Sequence, residues 1–598
     1  MVDRRAVALR YGRIVSVRYE MINLALLRRI VMMLSRRCSM LCLLMLVMLA
    51  SGCSSKTLPD SPKSEIKPGG QLVYGSLQEP NTLNPLLSDL LATAEVSSLI
   101  FSSLIVNDAR GEWLPDLALE VPTLQNGGVS PDGLTIKYKL RPGVTWHDGK
   151  AFTAEDVKFT WQMIMNSGVN VISREGYDKI LAIDTPDNYT VIIHYREYYP
   201  PYLTLFKSIL PKHILEKEDI NKSSFNRAPI GTGPFRLKEW HMSEALLLEA
   251  NTAYYRGKPN LDSILYKVIP DANVMLSQLK VGALDIVTNV PSSQIDQIKG
   301  IEGIQVVSTP NMIWEHVDFN LDNTLFQDVK VRQAIALGID KQALIANVLK
   351  NSANTAVSDQ SPLSWGYNPA ITPVAHDVAA ARELLSQAGW QQGMDGIFAK
   401  DGRKLSFSLS VPTGHKTREL VAQAISYQLK EVGIQVEVKM VEEKKFFDDL
   451  LKNRRFETVM YAWVAGVDPN NFNLWNSKKI PNRNNQYDGQ NYSGWRNAEI
   501  DALTDQGIRT VDIEKRKQIS FRIQDLIIQE CPIIPLYFRN NIDVVKKTVM
   551  NYQANPTPSG NLWNAWQWGF AGGSSPLDRT NFTMFILLNK YACIFHAR

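Results

Sequence analysis

The stretch Ser130–Gln162, SPDGLTIKYKLRPGVTWHDGKAFTAEDVKFTWQ, leaves the chain little choice of local structure. Pro131-Asp132-Gly133 is turn chemistry, since proline presets φ and glycine tolerates φ > 0. Leu134, Ile136, Tyr138 and Leu140 alternate with Thr135, Lys137, Lys139 and Arg141, the period of a strand with one buried and one wet face. Pro142-Gly143 ends that strand and Asp148-Gly149 turns the chain again. Thr153, with Asp156 three residues later, makes a capping box, and Val157, Trp161 and Ile164 give the following helix an apolar stripe. In the second half, Asp377–Ala388 and Arg418–Val432 carry helical periodicity and are closed by Gly389 and Gly433. An alternating strand, Ile434–Met440, follows directly. Helix, glycine and strand in succession specify α/β layers.

Charge then narrows the partners. The whole chain carries a formal +5, but residues 1–52 hold nine Lys+Arg and two Asp+Glu, leaving 56 basic and 58 acidic residues and a net −2 for the rest. The basic excess belongs to the leader, so nucleic acid is not an expected partner. Arg36-Arg37 precede the apolar run Met40–Leu49 and the small residues Ala50-Ser51-Gly52 before Cys53. A basic flank, a short apolar run and a small-residue cleavage site read as a secretory signal, and the run is short of the ~20 residues that span a bilayer. Residues 1–52 are the expected signal peptide, with Met32 or Met33 as an alternative start. Ser/Pro/Lys-rich residues 53–67 suit a tether. Cys38 and Cys42 fall in the leader, leaving no disulfide framework and no C-x-x-C motif.

Enzyme motifs are missing. Gly143–Lys150 imitates a phosphate loop, yet five residues separate its glycines and Ala151 stands where Ser or Thr must bind Mg²⁺. Gly231-Thr-Gly233 lacks the third glycine of a dinucleotide fingerprint, there is no G-x-S-x-G or H-E-x-x-H, and no two of the eight histidines lie at metal-ligand spacing. His147 reads as structural. Neither a cofactor nor a metal is expected.

The order DGLT, KLRPGV, WHDGK and FTAEDV closely resembles the signature of family 5 extracellular solute-binding proteins, the oligopeptide-, dipeptide- and nickel-binding receptors of ABC importers. Glu79–Pro85, Ile230–Arg236, Asn251–Asn260, Gly282–Ile286 and Asp328–Asp340 continue the resemblance in order to about residue 568. It implies an α/β, two-lobed periplasmic-binding-protein-like fold of type II with an extra subdomain in the first lobe. The expected first lobe is 68–312 plus 536–570, with 108–228 the extra subdomain. The second lobe is 313–535, and 571–598 is a tail without counterpart. Crossings near Asn311–Phe319 and Pro532–Arg539 would carry a hinge. The ending Ala50-Ser-Gly-Cys53 resembles a lipobox, implying lipidation of Cys53 and an exported, membrane-anchored or periplasmic protein.

The resemblance further implies a peptide ligand, ABC permease subunits as partners, a monomer and no catalysis. A nickel-chelate or other small-solute receptor of the same family is the alternative, and a secreted hydrolase the remote one. Asn81 and Asn84 of the Glu79–Pro85 loop, with Trp365, Tyr367, Trp463 and the neighbouring Tyr461 and Trp475, are the expected cleft residues. Peptide-binding relatives carry an ammonium-pairing Asp where this chain has Gly466. Either Asp468 takes that role or the ligand is not held by a free amino terminus. Lys416 and Arg418, opening a helix whose N-terminal amides attract anions, are the expected carboxylate anchor.

Overall fold

The computed structural model describes residues 66–291 and 294–572. The expected signal peptide, Cys53, most of the tether and residues 573–598 lie outside the described residues.

The opening motif folds as its pattern demands. Thr135–Lys139 is a strand with Ile136 and Tyr138 buried and Lys137 and Lys139 exposed. The Thr153 amide donates to Asp156 Oδ2 at 2.9 Å, starting the helix Ala154–Met165, whose Val157 and Ile164 are buried. That strand pairs with Thr190–Tyr195, which pairs with Ile180–Asp187. The helix covers the three-stranded sheet over a core built from Leu104 to Ile209.

An 11-stranded sheet runs through the rest of the described chain. Its order is Gln435–Val441, Ser406–Pro412, Thr458–Val464, Ile304–Phe319, Ile533–Lys546, Ile286–Val287, Gln71–Ser76, Ser263–Val268, Ala245–Ala250 and Phe235–His241, with Ala353–Thr355 beside Ile533–Lys546. Gln71–Ser76 lies parallel to both of its neighbours, and Ser406–Pro412 does the same at the other end. Parallel pairs need crossover connections; Lys416–Val432 supplies one, ended by left-handed Gly433 (φ 103°). Its Val421, Ile425 and Leu429 fill one core with Phe319, Phe407 and Leu536. A second core collects Leu72, Tyr74, Ile264 and Tyr266 with Val545 and Trp568.

The two cores are joined through the antiparallel pair Ile304–Phe319 and Ile533–Lys546, whose register shifts between Pro310 and Trp314 and again between Glu315 and His316. At the first shift Asn311 Nδ2 donates to Asn541 Oδ1 at 2.9 Å, and the Ile313 amide donates to Asn311 Oδ1 at 2.8 Å. Side-chain amides here replace ladder bonds that the irregularity removes. Gly569–Ala571 forms a strand paired with Ile66–Lys67, so Ala571 belongs to the sheeted structure and the tail begins later than expected.

Candidate functional site

Two of the quoted motifs meet each other. The His147 amide donates to the Gly231 carbonyl at 2.9 Å, the Gly231 amide donates to His147 Nδ1 at 3.2 Å, and His147 Nε2 lies 3.0 Å from the Gly233 carbonyl. Burial pushes the imidazole down to about 4, so it is neutral with Nε2 as the donor. The glycines are required by close approach: a Cβ on Gly231 would lie 1.9 Å from the Ile100 carbonyl oxygen. This clasp joins the 108–228 segment to the loop that leads into the strand Phe235–His241, and it is structural.

Beside it opens a cavity of about 740 Å³, walled by residues from 85–116, 164–208, 234–256, Asn289, Asn541 and 555–563. Deep in its wall Glu95 accepts from Tyr74 Oη at 2.8 Å, Tyr266 Oη at 2.6 Å and Thr288 Oγ1 at 3.3 Å. Burial raises its pKa against the pull of those hydroxyls. Asp116 accepts from Arg256 Nη2 at 2.8 Å, the Ser103 amide at 2.9 Å and Tyr255 Oη. Glu175 and Lys207 differ from these: both are exposed to the cavity, and neither side-chain charge has a hydrogen-bond or ion-pair partner among the described residues. Neighbouring protein atoms lower the Lys207 pKa by partly desolvating its ammonium, and no partner offsets that.

A second cluster lies on the segment 361–516. Asp468 takes a two-point bond from Arg516, at 2.8 and 2.6 Å, and the Arg516 guanidinium sits 5.0 Å from the centre of the Trp365 ring. The Asp468 and Arg516 charges act on Tyr198 and Tyr202 of the 108–228 segment. Gly111 packs so closely on Leu363 that a Cβ would lie 2.3 Å from its carbonyl oxygen. The two halves of the chain therefore touch here.

The expected site residues distribute unevenly over this geometry. Trp365, Tyr367 and Trp463 are half-buried and Gly466 is exposed; Trp463 stacks on Tyr492 with ring centres 6.2 Å apart. Tyr461 and Trp475 are core residues, 1% and 5% exposed. Asn81 is exposed and accepts from Thr93 Oγ1 at 3.3 Å. Asn84 is fully buried: its Nδ2 donates to Asn226 Oδ1 at 2.9 Å and its Oδ1 accepts from the Leu86 amide at 3.1 Å. Its capacity is spent on tying the loop to Asn226 and to its own backbone, and the cavity wall is formed instead by the adjoining Pro85 and Leu86.

Two anchors are corrected. Arg418 is not a free cation at a helix start: it is buried, with Nε and Nη2 each 3.0 Å from Glu315, and Arg539 shares the same carboxylate. Lys416 is left at the surface, 3.7 Å from Glu419. Asp468 is already bound by Arg516 and offers no free carboxylate to an ammonium group. What sequence reasoning missed is Lys207, which carries no motif, and Glu315, whose partner is 103 residues away. Among the described residues no three His, Cys, Asp or Glu side chains group as metal ligands do, and no helix is long and apolar enough to cross a membrane.

The family model for bacterial extracellular solute-binding proteins, family 5 Middle, matches residues 112–485. The oligopeptide-binding protein AppA of Bacillus subtilis (strain 168) is 32% identical over 548 residues, covering 88% of this chain and 97% of AppA. Its solved structure, in complex with a nonapeptide, superposes with a TM-score of 0.60 at 31% identity, covering 85% of this chain and all of that one. The dipeptide-binding protein of Escherichia coli (strain K12) is 26% identical, over 81% of this chain and 92% of its own length. NikZ from Campylobacter jejuni, solved in complex with Ni(L-His), matches at 26% identity and a TM-score of 0.62, over 83% of this chain and 99% of NikZ. The fold is thus the two-lobed, type II fold of periplasmic binding proteins with the extra subdomain expected of it. The chain belongs to the bacterial extracellular solute-binding proteins of family 5, the substrate-capturing proteins of ABC importers.

Proposed function

We propose that this protein is a peptide receptor that closes its two lobes on its ligand and delivers it to a membrane permease. The observation that carries the reading is the 740 Å³ cavity, within the 300–1,000 Å³ range of ligand sites; its wall, drawn wholly from the first lobe, holds one unpaired charge of each sign, Lys207 and Glu175, and the second lobe would close over it. A zwitterion with uncharged groups between its ends is the ligand chemistry that such a wall meets. Peptide main chain would be held by hydrogen bonds that ignore side-chain identity, with waters filling the spaces left by small side chains. AppA, bound to a nonapeptide, supports the same reading.

The lobes on this reading are 68–312 with 536–570, carrying 108–228, and 313–535. Their hinge would lie in the crossings Asn311–Phe319 and Pro532–Arg539, beside the register shifts of the two long strands, where Asn311 bonds Asn541. Such a crossing, tied by side-chain amides, can change its backbone angles at small cost, and the ligand drives closure only through contacts better made in the closed state. Export through the leader and lipidation of Cys53 would hold the protein on the outer face of the cytoplasmic membrane. No turnover is expected. Isothermal titration of the purified protein with dipeptides to nonapeptides should give saturable binding with the peptides recovered intact. Absence of binding to every length, or recovery of cleaved products, refutes the reading.

A nickel-chelate receptor is the second reading, favoured by the likeness to NikZ. Titration with nickel–histidine separates it from the first.

A further inference from the structure

Of the two cationic side chains on the cavity wall, Arg256 is committed: its Nη2 donates to the Pro115 carbonyl at 2.7 Å and pairs with Asp116 at 2.8 Å. Lys207 has no such commitment. The backbone that presents it is unusual. Phe206, immediately before it, has φ 57°, a left-handed conformation that glycine adopts freely and asparagine tolerates but that is an outlier for a bulky residue. It is held there by three features. The Phe206 ring is buried and meets the Tyr177 ring edge-on at 5.2 Å. Its amide donates to Tyr177 Oη at 2.7 Å, and its carbonyl accepts from the Leu104 amide at 3.1 Å. With Phe206 turned inward, the next side chain turns out into the cavity. Strain that is held in place by its surroundings clusters at ligand clamps and active sites.

We propose that Lys207 is the anion anchor of the cavity, its ammonium group holding a carboxylate of the bound ligand, an assignment that rests on the peptide-receptor reading. A cation on a cavity wall with no partner of its own is free to pair with a carboxylate that enters, and water competes less for that pair once a ligand fills the cavity. It also relocates the carboxylate recognition expected of Lys416 and Arg418, which are exposed and already paired, respectively. The carboxylate comes either from the peptide's C-terminus or from an acidic side chain.

The test uses the full mature protein and three pools of synthetic tri- to pentapeptides: free acids, neutral C-terminal amides, and C-terminal amides rich in Asp and Glu. The wild type should retain at least one of the two carboxylate-bearing pools, free acids or acidic amides, about ten-fold or more better than the neutral amides. Lys207→Met should abolish that preference, and Lys207→Arg should keep part of it. Retention of the acidic amides by the wild type but not by Lys207→Met assigns the side-chain source; retention of the free acids alone assigns the C-terminus. Equal loss of all pools in Lys207→Met, or no loss, overturns the proposal. If the wild type retains no pool, the peptide reading fails, and the anchor is judged separately. With ¹³C-methylated lysines, acetate should then shift the Lys207 resonance, identified by its loss in Lys207→Arg, more than those of the surface lysines. An equal shift for all lysines overturns it.

Discussion

Glu315→Ala should be among the most damaging single substitutions in the chain, and its cost follows from who shares the carboxylate. Glu315 is fully buried and accepts from Nε and Nη2 of Arg418 at 3.0 Å each and from Nε of Arg539 at 3.1 Å. The Arg418 side chain is 6% exposed, so removing Glu315 strands a cation away from water, which costs about 3–5 kcal/mol. Arg539 is 37% exposed and can turn to solvent, so its lost pairing adds no more than about 1 kcal/mol. The expected order of destabilisation is Glu315→Ala at about 3–5 kcal/mol, Arg418→Ala below it because Arg539 still pairs Glu315, and Arg539→Ala at about 1 kcal/mol. Urea unfolding at pH 7 reads this as a fall in midpoint at unchanged slope. The pH dependence has a definite sign. Burial acts to raise the Glu315 pKa, but Arg418 and Arg539 outweigh it and hold the carboxyl below its usual 4.5. Its contribution is therefore complete above about pH 4.5 and is lost as pH falls through the lower, folded value. A loss under 1 kcal/mol for Glu315→Ala, or equal losses for Glu315→Ala and Arg539→Ala, refutes the reasoning.

Other outcomes follow from the same geometry. Asp318 is 4% exposed, accepts from Tyr461 Oη at 2.8 Å, lies 3.3 Å from His316 Nε2, and is pushed up to about 7 by burial. A raised carboxyl favours folding when protonated, so wild-type stability should fall between about pH 4 and 7 by up to ~1.4 kcal/mol per unit, and Asp318→Asn should flatten that slope; a slope unchanged in the variant contradicts it. Cys53→Ala should leave unprocessed precursor or release the protein from the membrane fraction, whereas unchanged mass and membrane association rule out the lipid anchor. Deleting 573–598 should leave peptide binding intact, and loss of folding on truncation would make that tail part of the fold.

Local structure was legible wherever chemistry was local. The alternation of Ile136 and Tyr138, the Thr153–Asp156 pair and the Gly433 stop each act within a few residues, and each appears as read. Helix and strand ends moved by a residue or two: Arg418–Val432 became Lys416–Val432, and Ile434–Met440 became Gln435–Val441. The site was less legible because its charges are decided at long range. Nothing around Arg418 announces Glu315, and nothing around Asp468 announces Arg516. Sequence shows that a charge exists, whereas only the fold shows whether it is already spent. Lys207 is the converse case. It reads as an ordinary surface lysine until a phenylalanine in a glycine's conformation is found behind it.

The account's central claim is that the cavity beside the His147–Gly231 clasp takes peptides. The most direct measurement is a parallel titration of the purified protein with a mixed peptide pool and with nickel–histidine, followed by calorimetry and by mass spectrometry of the bound fraction. The account predicts saturable heat from peptides, recovered uncut, and none from nickel–histidine; saturable heat from nickel–histidine alone would contradict it.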